Sequence, residues 1–188
     1  MMIALPNELE LVMRAETDSS AFAVIYDHYF PRIYTYVRCR VSNSYVADEL
    51  TSQIFERLLT RLGSYRAERG NFCNWLFTIA HNIVADYFRD QKRRGWISLE
   101  VMSEVACAED KPEETVIANE SRSQLLAALR QLNDQERSIL ALKFTAEMTN
   151  RRIAQITGLS ESNVGVIVFR AIRRLRTILG PEGEFKHG

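Results

Sequence analysis

The chain of 188 residues is short of glycine (8), proline (4) and cysteine (3), and it has no net charge, 24 lysines and arginines being balanced by 24 aspartates and glutamates. That combination excludes a disordered, collagen-like or broadly basic polypeptide. Its cysteines, Cys39, Cys73 and Cys107, are odd in number and form no C-x-x-C pair, so neither a disulfide framework nor a zinc site is indicated and buried free thiols are expected. Residues 1–18 set Glu8, Glu10, Glu16 and Asp18 against one arginine, the reverse of a basic export leader. The longest apolar run, Ala21 to Tyr26, falls far short of the roughly 20 residues that span a bilayer. No export signal and no membrane insertion are expected, and the cytoplasm is the expected compartment. His28, His81 and His187 make no ligand-spaced cluster and no nucleophile–base pair is visible, so no metal, cofactor or enzymatic activity is expected. What the chain does have is 46% apolar residues, with abundant Leu, Ala, Arg and Glu. That composition favours helix over sheet, and an all-α fold is expected.

Zero net charge hides opposed segments. Residues 98–120 hold one basic group, Lys111, and seven acidic ones, whereas residues 149–188 hold seven basic groups against three acidic. The acidic stretch also has weak periodicity and contains Pro112, so it reads as a linker between two helical units. The expected units are therefore residues 1–97, a flexible linker over 98–120, and residues 121–188.

In the first unit, Asn7 can cap a short helix ending near Ala15, and Asp18 or Ser19 a second. The second helix carries Phe22, Ile25, Tyr26, Tyr29 and Ile33 at helical spacing, and Pro31 should kink or restart it. A third helix opens at Ser44 and ends at Gly63. Its inward stripe includes Val46, Leu50, Ile54 and Leu58, and its outward face Asp48, Glu49, Ser52, Gln53, Glu56 and Arg57. Either a solvated surface or a docking surface fits that face. A fourth helix begins near Asn71 and buries Phe72, Leu76, Ile79, Ala80, Ile83 and Tyr87, while Asn82, Asp86 and Arg89 stand at i, i+4 and i+7 on another face. Arg89, Lys92, Arg93 and Arg94 crowd its end, where they either cap the helix dipole or meet phosphate. Tyr65, Trp75, Tyr87 and Trp96 flank them, and aromatic faces beside arginines suit unstacked bases, although core packing also accounts for Trp75 and Tyr87.

The segment MTNRRIAQITGLSESNVGVIVFRAIRRLRTIL has the grammar of a helix-turn-helix, with a turn at Gly158 and a second helix capped by Ser160. Val164, Val168, Ala171, Ile172, Leu175 and Leu179 share the inward face. Opposite lie Ser162, Asn163, Val166, Phe169, Arg170, Arg173, Arg174 and Thr177, a set suited to a major groove, where Val166 and Phe169 would meet thymine methyls or sugars. Arg151 and Arg152 near the start of the first helix can reach phosphates.

Taken in order, AFAVIYDHYFPRIYTYV, ADELTSQIF, SYRAERGNFCNWLFTIAHNIVADYFRDQKRR, LRQLNDQERSILALKF and the helix-turn-helix segment resemble a bacterial sigma factor of the extracytoplasmic-function (ECF) group, over residues 20 to 179. The resemblance implies promoter DNA and core RNA polymerase, through its β′ clamp coiled coil and β subunit, as partners. The helix over Ala47 to Leu58 would grip the coiled coil, making Asp48, Glu49, Ser52, Gln53 and Arg57 candidate docking residues, although the family more often has Asp, Gln and Glu where this chain has Glu49, Ser52 and Gln53. Tyr65, Trp75, Asn82, Asp86, Arg89, Lys92, Arg93 and Arg94 become candidates for capturing the −10 element, with a flipped base beside Asn82. Arg151, Arg152, Ser162, Asn163, Val166, Phe169, Arg170, Arg173 and Arg174 become the −35 candidates. Where many members carry a basic, Ser, Arg trio, this chain has Gly165, Val166 and Ile167, which implies an unusual −35 preference. Members are also commonly restrained by an anti-sigma protein.

Promoter elements centred about 25 base pairs apart lie roughly 85 Å apart, whereas a 23-residue linker reaches at most about 80 Å and relaxes to about 25 to 30 Å. The linker would have to be stretched in a working complex, and the family supplies a reason, a path through the RNA exit channel. Two rival functions remain at this stage. A conventional helix-turn-helix regulator would bind a palindromic duplex without polymerase, and a helical hydrolase or metal enzyme would need a ligand cluster that is not visible.

Overall fold

The computed structural model describes residues 5–93 and 116–180, with side chains from residue 123 onward in the second stretch. Among these residues there are eight α-helices and no strand, as the composition requires.

Local chemistry sets most helix starts. Helix α1 (Glu8–Arg14) departs from expectation, because Asn7 adopts the left-handed conformation (φ 56°) and its side chain makes no cap. Asn is among the few residues that tolerate that conformation, and Glu8 and Glu10 in the first turn complement the helix dipole instead. Asp18 caps α2 (Ser19–Arg40), accepting from the Ser20 N–H at 2.9 Å and the Ala21 N–H at 3.4 Å. Hydrogen bonds from the Ser20 hydroxyl and from Arg14 hold its carboxyl well below the usual carboxylate range.

Pro31 does not break α2, which runs unbroken from Ser19 to Arg40. Pro31 and Asp27, whose carbonyl loses its helical donor, both lie on the exposed face, where water can replace that bond. Asn43 caps α3 (Ser44–Arg61) through its amide oxygen, which accepts from the Tyr45 N–H at 2.8 Å. The helix stops at Arg61 rather than at Gly63, and a 3-10 turn, Leu62–Ser64, follows. Asn71 accepts from the Asn74 N–H at 2.9 Å at the head of α4 (Phe72–Arg93).

These helices close on Ile25, Tyr29, Ile33 and Tyr36 of α2, Ile54 and Leu58 of α3, and Phe72, Leu76, Phe77 and Val84 of α4, all buried. Ile83 and Tyr87, expected in the same stripe, are only half-buried.

The second lobe comprises α5 (Val116–Arg130), α6 (Asp134–Phe144), α7 (Asn150–Thr157) and α8 (Glu161–Leu179). Helix α5 starts inside the stretch read as linker, and the rest of that stretch, with Cys107, lies outside the described residues. A reciprocal capping box of Asn133 and Glu136 fixes the start of α6. Leu129, Leu132, Leu140 and Ala171 pack α5, α6 and α8 together.

The lobes meet along a seam where α6 lies on α2 and α7 touches α4. Ile139, Leu142, Met148 and Ile153 join the same buried cluster as the core of the first lobe. Arg32 crosses the seam, donating from Nε to the Thr145 carbonyl at 3.2 Å and from Nη2 to the Cys73 sulfur at 3.6 Å. His81 Nδ1 stands 3.4 Å from both the Tyr36 hydroxyl and the Ser138 hydroxyl. Burial, reinforced by the Arg40 charge, pushes the His81 imidazole down to about 4, and burial pushes the Tyr36 phenol up to about 12.

A histidine whose folded pKa is depressed resists a proton that the unfolded chain accepts from about pH 6.5 downward. Its neutral burial therefore supports the fold above that pH, and the support is lost as pH falls toward 4. The thermal midpoint should drop between pH 7 and pH 5 by the equivalent of about 2 kcal/mol. The His81→Gln chain should lose that slope, measured by circular dichroism melts across the same window.

Candidate nucleic-acid and protein-docking faces

Three exposed faces carry the side chains that the sequence singles out. The first runs along α4. At 100° per residue, Trp75, Asn82, Asp86, Arg89 and Arg93 fall in one stripe, which extends the i, i+4, i+7 set in both directions. Asn82, Asp86, Arg89, Lys92 and Arg93 are exposed, and Arg94 lies outside the described residues. Arg89 pairs with Asp86, and Arg93 with Asp90 at 3.6 Å. Such exposed pairs are worth little, so both guanidiniums remain available to phosphate.

At the head of the stripe Tyr65, Phe72 and Trp75 form an aromatic cluster. The Tyr65 ring meets Phe72 edge-on at 5.4 Å and Trp75 at 5.3 Å, and Phe72 lies 5.8 Å from Trp75. The Tyr65 hydroxyl donates to the Gly70 carbonyl at 3.0 Å, and burial raises its pKa. Gly70 takes a positive φ of 138° where the chain turns into α4, a conformation that favours glycine. Phe72 is wholly buried, while Tyr65 and Trp75 are half-buried. Core packing and an open aromatic edge thus coexist in one cluster. Tyr87 instead accepts a hydrogen bond from Gln91 at 2.9 Å.

The second face is the outside of α3. Asp48, Glu49, Ser52, Gln53 and Arg57 are all exposed, and the Gln53 amide donates to Glu49 at 3.1 Å. Beside them, between α2 and α3, lies an open groove floored by Phe22, Tyr26, Phe30, Phe55 and Leu59 and edged by Asp48 and Ser52. Tyr26 contacts Phe55 at 4.6 Å and Phe30 at 5.2 Å, and Leu59 is 48% exposed. Sequence reasoning missed this groove. The signal was present, because Phe22, Tyr26, Phe30 and Tyr34 recur every fourth residue in α2, forming a second apolar stripe beside Ile25, Tyr29, Ile33 and Tyr36. One helix cannot bury two such stripes in a core this thin.

The third face is the helix-turn-helix. Thr149 caps α7, Gly158 ends it in the left-handed conformation (φ 74°), and Ser160 caps α8 by accepting from the Asn163 N–H at 3.2 Å. Ser162, Asn163, Val166, Phe169, Arg170, Arg173 and Arg174 are all exposed, with Val166 at 42% and Phe169 at 67%. Arg174 reaches Glu136 at 3.7 Å. Arg151 is exposed, but Arg152 is half-buried and folded back onto Gln155 at 3.0 Å, so the two arginines are not equivalent phosphate ligands. Val164 and Ala171 are buried on the opposite side.

Gly165 lies mid-helix, where a Cβ would meet only the Asn150 amide nitrogen at an ordinary 3.5 Å. Gly165→Ala should therefore stabilise the chain by about 0.5 to 1 kcal/mol, read as a raised urea midpoint with an unchanged slope.

Residues 25–94 match the family model Sigma-70 region 2, and residues 122–175 match Sigma-70, region 4. The ECF RNA polymerase sigma factor BldN of Streptomyces coelicolor is 34% identical over 91% of this chain, which spans 65% of that relative's length. SigW of Bacillus subtilis, an ECF RNA polymerase sigma factor, is 26% identical over 85% of this chain and 89% of its own length. Among solved structures, the sigma factor RpoE in complex with the anti-sigma factor NepR from Bartonella quintana superposes with a TM-score of 0.70 at 20% identity, covering 84% of this chain and 96% of that one.

Proposed function

The chain belongs to the ECF group of bacterial sigma factors, and from that premise we propose that it is a dissociable initiation subunit that directs core RNA polymerase to a promoter class and helps open the DNA. One observation carries the reading. A single chain presents both an aromatic and guanidinium stripe fit for unstacked bases and a capped helix whose apolar and basic side chains fit a duplex groove. The chain itself makes no covalent bond; the polymerase does. Among the described residues no helix is long and apolar enough to cross a membrane, and cytoplasmic residence completes the proposal.

Within it, residues 1–97 hold the −10 element and the polymerase, residues 98–120 link, and residues 121–188 read the −35 element. The β′ coiled coil docks on the outside of α3, with Asp48, Glu49, Ser52, Gln53 and Arg57 supplying polar contacts and the Tyr26–Phe55–Leu59 groove supplying apolar area. Family membership implies a β-subunit contact, and an anti-sigma protein of the kind that binds RpoE is a further candidate partner. The two promoter elements lie roughly 85 Å apart, so the seam between α2 and α6 must part when the complex assembles. A regulator that acts without polymerase is not favoured, because nothing in that role calls for a base-stacking face on the first lobe.

Run-off transcription with purified core enzyme tests the proposal. The chain should stimulate initiation on a cognate promoter, and no promoter-dependent product on any template would defeat it. Trp75→Ala and Asn82→Ala should each lower the output about tenfold, the value of a lost stacking or pocket contact, while co-migration with core enzyme is unchanged. Leu59→Asp should abolish co-migration itself and, with it, the promoter-dependent output.

Duplex contacts by the second lobe should be strongly electrostatic. If about four phosphates are neutralised, affinity of the assembled enzyme for a −35 duplex should fall roughly a hundredfold between 50 and 200 mM salt. Fluorescence anisotropy of a labelled duplex reads that slope.

A further inference from the structure

Where α2 ends, a small cavity of about 10 Å³ lies between the lobes. Arg38 and Arg40 line it from α2, Arg130 from α5 and Arg137 from α6, with Leu126 and Leu129 as its apolar wall. Arg40 is only 6% exposed, and among the described residues its Nε and Nη1 have no hydrogen-bond partner. The Arg137 Nε is likewise buried and unpartnered.

Among the described residues the charge is only partly balanced: Asp134 and Tyr36 favour the Arg40 cation, but no carboxylate contacts it. Asp134 is held by Arg137, the Arg38 guanidinium donates to the Ser42 carbonyl at 3.1 Å, and the Phe88 ring at 5.2 Å covers a face of the Arg40 guanidinium without accepting its N–H groups. Tyr36, pushed up to about 12, stays neutral. Burial chiefly, with the neighbouring Arg137 charge, disfavours the Arg40 cation and Tyr36 and Asp134 offset it only in part, yet an arginine does not shed its proton as a lysine does. A buried cation with idle donors, facing further guanidiniums, calls for an anion that the described residues do not supply.

We propose that this cavity binds one small inorganic oxyanion of the phosphate class, gripped by Arg40 and Arg137 at the seam between the lobes. Planar guanidinium forks match the spacing of oxyanion oxygens better than they match a halide. The enclosed space admits about one water-sized sphere, so one oxygen is swallowed and the others face the mouth, where Arg130 is exposed and Arg38 half-buried. Leu126 and Leu129 exclude water from the enclosed oxygen, which strengthens the attraction. Because α2 belongs to one lobe and α5 and α6 to the other, the bound anion ties the two together. The regulatory consequence rests on the sigma-factor reading: an occupied site opposes the parting of the lobes that polymerase requires. Binding itself does not depend on that reading.

The test uses the free full-length chain without polymerase, so its failure leaves the initiation reading untouched. Thermal midpoints are measured against sodium phosphate and against sodium chloride at matched ionic strength. Phosphate should give a saturable rise of about 5 to 10 °C at a hundredfold excess over its dissociation constant, and chloride should not. Arg40→Met and the exposed Arg130→Gln should lose most of that rise; general salting by phosphate would raise all three chains alike. In phosphate-free buffer Arg40→Met should melt no lower than the parent, because it removes an unpaired buried charge. Equal rises with both salts, a rise undiminished in both variants, or a parent clearly more stable than Arg40→Met without added anion would each overturn the site.

Discussion

The polar seam between α2 and α6 constrains everything else in this molecule. Its apolar part, Ile139, Leu142, Met148 and Ile153, is core-like, but it is interrupted by Arg32, Tyr36, Arg40, His81 and Ser138. Each of those groups gives up hydration on burial, and apart from the Arg32–Thr145 hydrogen bond at 3.2 Å the partners found among the described residues are long, sulfur-based or missing. Such a surface gains less per unit area than a dry interior. The lobes are therefore held together by a contact that specifies their arrangement more than it stabilises it. The proposed function, in which the two halves lie far apart on DNA, suits an interface of this kind, since a purely aliphatic seam would resist opening.

The helical fold was legible because its local signals agree with one another. Asp18, Asn43, Asn71, Asn133, Thr149 and Ser160 stand where caps are needed, and Gly158 ends α7 in the conformation that glycine favours. Asn7 and Pro31 misled for opposite reasons. A capping residue type was taken up by backbone conformation, and a breaker was tolerated on a hydrated face. The exposed stripes of α4 and α8 were also legible, since polar residues at i, i+4 and i+7 need no tertiary information. The aromatic groove between α2 and α3 was not, because residues of one apolar class occupy two faces of α2 and only packing shows which face α3 leaves open. Nor was the arginine cavity, whose members are far apart in sequence and look like ordinary surface cations until α5 and α6 close over Arg40.

Chemistry on α8 bears on what kind of −35 sequence suits the chain. Gly165 and Ile167 are half-buried, so of the departing trio only Val166 faces outward, followed one turn later by Phe169. Apolar tips discriminate bases through methyl contacts and shape, whereas the arginine bidentate pairing reads guanine directly. In the proposed role, a helix with Val166 and Phe169 at its centre and Arg170, Arg173 and Arg174 beyond them would lean on thymine-rich steps for selectivity and on phosphates for grip. That division separates affinity from sequence choice along a single helix.

Charge placement also bears on how the two halves would act together in the proposed role. Arg89, Lys92 and Arg93 cluster at the end of α4 and Arg170, Arg173, Arg174 and Arg176 along α8, while residues 98–120 carry seven acidic groups against one basic, and the whole chain is neutral. A neutral chain is not drawn to duplex DNA by its long-range field, and an acidic connector between two weakly basic faces is itself repelled by phosphate. Local attraction survives only where a face is pressed within a Debye length, about 8 to 10 Å, of the DNA. A larger body that fixes both lobes on one promoter supplies that proximity, since once the first face engages, the second meets its target at the high effective concentration set by the shared frame. In the proposed role, neutrality overall and basicity at the faces would work together, suppressing stray binding by the free chain and leaving full strength to the assembled enzyme.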